Sequence, residues 1–122
     1  MTPHDPSRLQ RAQELHASHY AQIVKALDQV TQDNLATFEL EKANIENGFQ
    51  WVYDKVKLNN THANLCFDYT ASWDVLSLKL HPQEFMAWMT SGLLASQSLN
   101  DKKHESYHVG GLGNAHWSLG KL

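Results

Sequence analysis

The segment His104-Glu105-Ser106-Tyr107-His108 carries the residue types of a zinc site at the spacing H-E-x-x-H. On a helix, two histidines four apart share a face and can grip one Zn²⁺, while the glutamate between them serves as general base. Gly111 falls where the extended pattern H-E-x-x-H-x-x-G places a turn glycine, but the third histidine of that pattern would fall on Asn114. His116 comes two residues late and reaches a metal only if the chain after His108 loops back. The preceding stretch Asn100-Asp101-Lys102-Lys103 is polar, whereas a ligand helix buried beside a sheet needs apolar flanks. His104, His108 and His116 are therefore candidates for incidental Zn²⁺ or Ni²⁺ binding. The plainer reading is a solvated helix end whose cations complement the helix dipole.

Other chemistry is thinner. His16 and His19, three apart, form a pair without a third ligand. Glu39 with Glu46 and Asp68 with Asp74 supply carboxylates, but a di-iron helical bundle requires a Glu-x-x-His on each of two helices, and the chain has only Glu105-Ser106-Tyr107-His108. Gly110-Gly111-Leu112-Gly113 misses G-x-G-x-x-G because His116 occupies the last position and no strand precedes it. No catalytic residue and no cofactor is assigned.

Length and composition bound the rest. The 122 residues suffice for one domain, and 42% hydrophobic content gives a modest core. A formal charge of -3 without a basic block makes nucleic acid a poor partner. The single cysteine, Cys66, excludes a disulfide framework and reads as a small buried hydrophobe. No run approaches the ~20 apolar residues of a transmembrane helix, and the N-terminus has no signal-type apolar region. The expectation is a cytoplasmic protein.

The elements that position these residues read as helices. Asp5-Pro6-Ser7 is a helix start, with Asp as cap and Pro at the first helical position. From there to Pro82 the only breaker is Gly48. Leu27, Phe38 and Phe49 recur every eleven residues, as do Ile45, Val56, Phe67 and Leu78, which fits a helical stripe. Tyr20, Ile23, Val30, Leu35, Val52, Leu65, Trp73 and Leu76 widen it. An internal turn is placed near residues 59–61, within Leu58-Asn59-Asn60-Thr61-His62, with Glu46-Asn47-Gly48 as second choice. Pro82 opens a last helix that reaches about Asn100. Its stripe of Phe85, Trp88, Met89 and Leu93 reads first as a packing face. Four of the six glycines follow Tyr107, so residues 1–108 form one helical domain and residues 109–122 an irregular Gly-rich tail carrying His116 and Trp117.

The stretch from Asn34 to Phe49, NLATFELEKANIENGF, followed by a long amphipathic run and then His81-Pro82-Gln83-Glu84-Phe85, resembles the phasin family. Phasins are small proteins of the polyhydroxyalkanoate granule surface, and their D-P-Q-E-hydrophobic segment starts the last helix; here His81 stands in place of the aspartate. The likeness covers roughly residues 20–108. It implies a non-catalytic all-α protein of long amphipathic helices, as a hairpin, a bundle or a coiled-coil-like homo-oligomer, lying on an apolar polymer surface. A wide apolar stripe must be covered by a core, a partner or an interface, and Phe49, Trp51, Trp73, Phe85 and Trp88 are its contact candidates. The alternative is a small helical adaptor or inhibitor that binds another protein through exposed aromatics, with Trp117 as an added anchor. A zinc-dependent hydrolase comes third.

Overall fold

The computed structural model describes residues 6–55 and 60–120. They form six helices: α1 Pro6–Ala26, α2 Gln32–Lys55, α3 Asn60–Thr70, α4 Trp73–Lys79, α5 Pro82–Ser98 and α6 Lys102–Gly120. The all-α class expected from the sequence is the observed one, with no strand among the described residues, and no described helix is long and apolar enough to cross a membrane.

Helix α3 is the centre of the bundle, since seven of its eleven residues are buried. It packs on α1 and α2 on one side and on α5 on the other, and α6 covers α5. Such burial demands few charges, and NTHANLCFDYT contains only Asp68, whose carboxylate turns outward to Lys25 and Gln22 of α1. Between α3 and α1 the contact is unusually close. Tyr69 sends its hydroxyl to Ala17 O at 2.6 Å, and a Cβ on Gly48 of α2 would collide with that hydroxyl. Ala17, Ala21 and Val24, spaced on one face of α1, keep the approach short. Phe49 of α2 stacks on Trp88 of α5 with ring centroids 3.9 Å apart, and Tyr69 meets both rings edge-on.

The ends of the helices explain breaks that the periodicity does not show. Residues 27–31 separate α1 from α2, and Thr31 restarts the chain by accepting Asn34 N–H on its hydroxyl at 3.0 Å. Ser72, between α3 and α4, donates to Val24 O at 2.5 Å and so ties the start of α4 to the end of α1. At α5, His81 caps with its ring, Nδ1 accepting Gln83 N–H at 3.1 Å ahead of Pro82. The imidazole thus performs the capping that an aspartate would.

Only three residues, 99–101, join α5 to α6. Asp101 N–H donates to Ser96 O at 2.8 Å and Asn100 N–H to Gln97 O at 3.2 Å, the pair of bonds of a Schellman turn. Asn100 takes the left-handed φ of 54° that the turn needs, which asparagine tolerates better than most residues. Asp101 then caps α6, accepting His104 N–H at 3.0 Å.

Several expectations change. The apolar stripe is real as a set of residues, because Leu27, Phe38, Phe49, Ile45 and Phe67 are all buried. It is not one surface of one helix: Leu27 lies beyond α1, Leu78 is exposed, and Val56 lies outside the described residues. Gly48 sits inside α2, where it serves packing and not a turn. Asn60 and Thr61 already belong to α3, while residue 59 lies outside the described residues, as does the expected cap Asp5. The last expected helix ends at Ser98, close to the anticipated Asn100.

The segment expected to be irregular after residue 108 is instead helical to Gly120, its final two residues lying outside the described ones. Each helical glycine costs about 1 kcal/mol relative to alanine. Two of them are held by packing: a Cβ on Gly111 would come within 2.6 Å of Met89 Sδ, and Gly110 lies under the Trp73 ring.

Replacing Gly48 by Ala sets two effects against each other. Helix propensity gains about 1 kcal/mol, while overpacking costs about 1–3 kcal/mol and the Tyr69 bond to Ala17 adds about 1 kcal/mol when it breaks. Gly48→Ala is therefore expected to lower the urea midpoint, and Gly113→Ala, which opens onto free space, to raise it slightly. Equal midpoints for Gly48→Ala and the parent chain would refute the close α1–α2–α3 junction.

Candidate functional site

Helix α6 does place His104 and His108 on one face, one turn apart, as the motif spacing requires. Their surroundings differ from those of metal ligands. His104 stacks on Phe67 of α3 with centroids 4.0 Å apart and planes within 5°. Its Nδ1 meets Asp101 Oδ2 at 2.8 Å, so one carboxylate both caps the helix and orients the ring. The backbone N–H of His104, followed by its side chain, holds the Asp101 carboxyl below its ordinary pKa.

His108 is fully buried between α3, α5 and α6, its ring filling the space that the missing Cβ of Gly92 leaves. Nδ1 lies 2.6 Å from His104 O, a group that only accepts, so Nδ1 carries the proton. Nε2 lies 2.8 Å from Thr70 Oγ1 and in the neutral ring is the acceptor. Thr70 Oγ1 also stands 3.0 Å from Cys66 O, so its single proton has two possible destinations. A protonated ring would donate to Thr70 and release that proton to Cys66 O. Hydrogen bonding thus accommodates either state, and the cation is disfavoured by burial, which depresses the His108 pKa to about 4.

Both His108 nitrogens are committed inside the protein. Glu105 turns to Lys102 at 3.6 Å, and His116 lies about 12 Å further along the axis at 1.5 Å per residue. Among the described residues no three His, Cys, Asp or Glu side chains come together at metal-binding distance. What the motif does form is one side of a shallow cavity of about 180 Å³, lined by Phe67, Thr70, Ala71, Lys103, His104 and Tyr107. Tyr107 donates to Thr70 O at 2.8 Å, closing the end of α3, and burial pushes its hydroxyl pKa up to about 12. The same burial pushes the Cys66 thiol up to about 11, so it is held as a thiol beside Ser91.

The aromatic contact candidates divide sharply. Phe49, Phe85 and Trp88 are core residues. Trp51 is half-buried, its ring perpendicular to that of His62 with centroids 5.2 Å apart and the Lys55 ammonium 5.3 Å from its ring centroid. Trp73 is half-buried between Phe85 and Tyr107, which it meets edge-on at 6.4 and 5.3 Å. Trp117 alone of the six is open to solvent, with 62% of its surface accessible. It stands on a ridge of α6 with Val109, 53% accessible, and Gly113, whose Cβ position meets nothing within 4 Å. Their i, i+4, i+8 spacing puts the three on one face. Of the neighbours of the histidine pair, Asp101, Thr70 and Ser96, only the first is legible in the sequence. Asp101-x-x-His104 is a capping pattern that can be read locally, but the other two meet His108 only through tertiary packing.

Because burial favours neutral His108, the folded pKa lies below the ordinary 6.5, and the unfolded chain binds the extra proton between pH 6.5 and 4. Stability is therefore full above pH 6.5 and falls by up to ~1 kcal/mol per pH unit as pH drops through that window. His108→Gln, which cannot titrate, is expected to flatten this part of the stability curve measured by urea unfolding. A variant curve parallel to that of the parent chain would show that His108 is not the titrating group.

No protein-family model, no curated protein and no solved structure matches this chain. Its functional reading therefore rests on its own residues.

Proposed function

We propose that this chain is a non-catalytic helical module that binds another protein through the exposed ridge of α6. The supporting observation is the contrast between the two sets of apolar residues. Phe49, Phe85 and Trp88 are consumed by the core, while Val109 and Trp117 flank open space over Gly113. A glycine between two large side chains makes a notch, and helices pack by setting ridges into such grooves. Tryptophan at the edge of the notch supplies the kind of anchor that dominates protein interfaces.

The phasin-like reading asks for a broad apolar surface. In this structure the residues best suited to it are buried, and the other exposed large apolar side chains, among them Leu9, Leu40 and Leu78, are distributed over α1, α2 and α4. Binding a polymer granule through Phe49, Phe85 and Trp88 would require the bundle to open.

Two measurements on the whole chain separate these readings. A photo-crosslinking residue at position 113 is expected to capture a discrete protein in the native host, and the same residue at position 29 is not. Trp117→Ala should reduce that capture about tenfold or more, as loss of a hot-spot aromatic does. With polyhydroxybutyrate particles, neither co-sedimentation nor a blue shift of tryptophan emission is expected. Co-sedimentation with a blue shift, and no protein captured at position 113, would reverse the choice in favour of the granule surface.

A further inference from the structure

Between α2 and α5 runs a groove of about 370 Å³, separate from the α6 ridge and from the histidine pair. Glu46, Phe49 and Tyr53 form one wall, at spacings of three and four that place them on a single face of α2. Glu84, Ala87 and Trp88 form the other, Ala87 and Trp88 lying three and four residues after Glu84 and so on its face of α5. The floor is the stacked Phe49–Trp88 pair, held rigid from within by Tyr69. Tyr53 tilts against Phe49 at 6.0 Å and stands half in solvent, while small Ala87 leaves the opposite side low. Glu46 has Lys42 at 4.0 Å, the outer limit of an ion pair, and Glu84 has no ion-pair partner among the described residues.

Two carboxylates over an aromatic floor select a cation that also carries apolar or planar surface. The carboxylates supply the charge, the half-exposed Tyr53 ring offers a surface on which a cation can lie, and the stacked Phe49–Trp88 pair, whose faces are turned to each other, offers apolar contact. A guanidinium suits this better than an ammonium, because it is planar and weakly hydrated, stacks on rings, and pairs with carboxylate through two parallel N–H bonds. The volume is near the lower end of the ~300–1,000 Å³ range of small-ligand pockets, enough for one side chain. From Glu46 to Tyr53 the α2 wall runs about 10 Å, so an extended backbone can lie along it. The chain's net charge of -3 favours approach of a basic segment. We infer that this groove receives an arginine side chain of a partner polypeptide, its guanidinium held between Glu46 and Glu84 and laid against Tyr53, with its aliphatic stem over the Phe49–Trp88 floor. The site stands independently of the α6 ridge.

The test is a titration of the ¹⁵N-labelled full chain with acetyl-Gly-Arg-Gly-amide, and with the lysine and citrulline versions of the same peptide. Amide shifts are expected on α2 around residues 46–53 and on α5 around residues 84–88, with the arginine peptide the tightest and the citrulline peptide, which has no charge, the weakest. Glu46→Gln and Glu84→Gln should each weaken binding about threefold, and together about tenfold, as half-exposed charge pairs do. Tyr53→Leu should weaken it as well, with an unchanged melting temperature showing that the fold persists. Equal binding of arginine and citrulline peptides, shifts confined to other helices, or no shift up to about 10 mM peptide would each overturn the assignment.

Discussion

The hydroxyl of Tyr69 reaches Ala17 O through a space that exists only because residue 48 has no side chain. Three helices meet at that point, and the remaining packing follows from how close they come. With α1 and α2 drawn onto α3, the Tyr69 ring stands edge-on to Phe49 and Trp88, and those two rings can stack flat. The stack in turn joins α2 to α5, two helices separated in sequence by the whole of α3 and α4. Burial raises the Tyr69 pKa well above its ordinary value, so the hydroxyl remains a donor over the whole physiological range. A buried hydroxyl without its acceptor would cost about 1–3 kcal/mol, which makes the bond a requirement of the arrangement and not an ornament to it.

The same device recurs at the other side of α3. Gly92 gives His108 the room that Gly48 gives Tyr69, and Thr70 and Ser96 surround its ring where other side chains would leave polar atoms unmatched. Gly111 does likewise for Met89. Glycine is a poor helix former, so its presence inside α2, α5 and α6 is explained by contacts between helices and not by local preference. This is also why the HESYH segment resembles a metal site in sequence yet builds a packed one: the two histidines share a face, but that face meets α3 and α5.

Much of the architecture could be read from residue types. Helix class, the start of α5 at Pro82 and most of the core residues follow from breakers and apolar spacing, which act locally. The breaks at residues 27–31 and at Ser72 were not legible from spacing, because an apolar residue such as Leu27 keeps its burial whether or not the helix continues beneath it. The Gly-rich end looked irregular because composition reports cost alone, and the compensating contacts of Gly110 and Gly111 come from Trp73 and Met89 on other helices. Likewise the aromatic residues announced burial energy without saying whether a partner or the core would collect it. Sequence placed Phe49 and Trp88 among surface contacts, while the fold sets their faces against each other and leaves only a groove above them.

The turn at residues 99–101 ends one helix and begins the next with nothing to spare. Asn100 holds a single backbone basin, Asp101 is bonded through both its N–H and its side chain, and His104 is braced on the same carboxylate. These bonds define the backbone path from α5 into α6 and so set how the ridge of α6 is presented beside α5. A binding surface whose backbone is ordered in this way loses little backbone entropy when a partner arrives, so what remains to be overcome is the ordering of side chains and the loss of the two molecules' relative freedom.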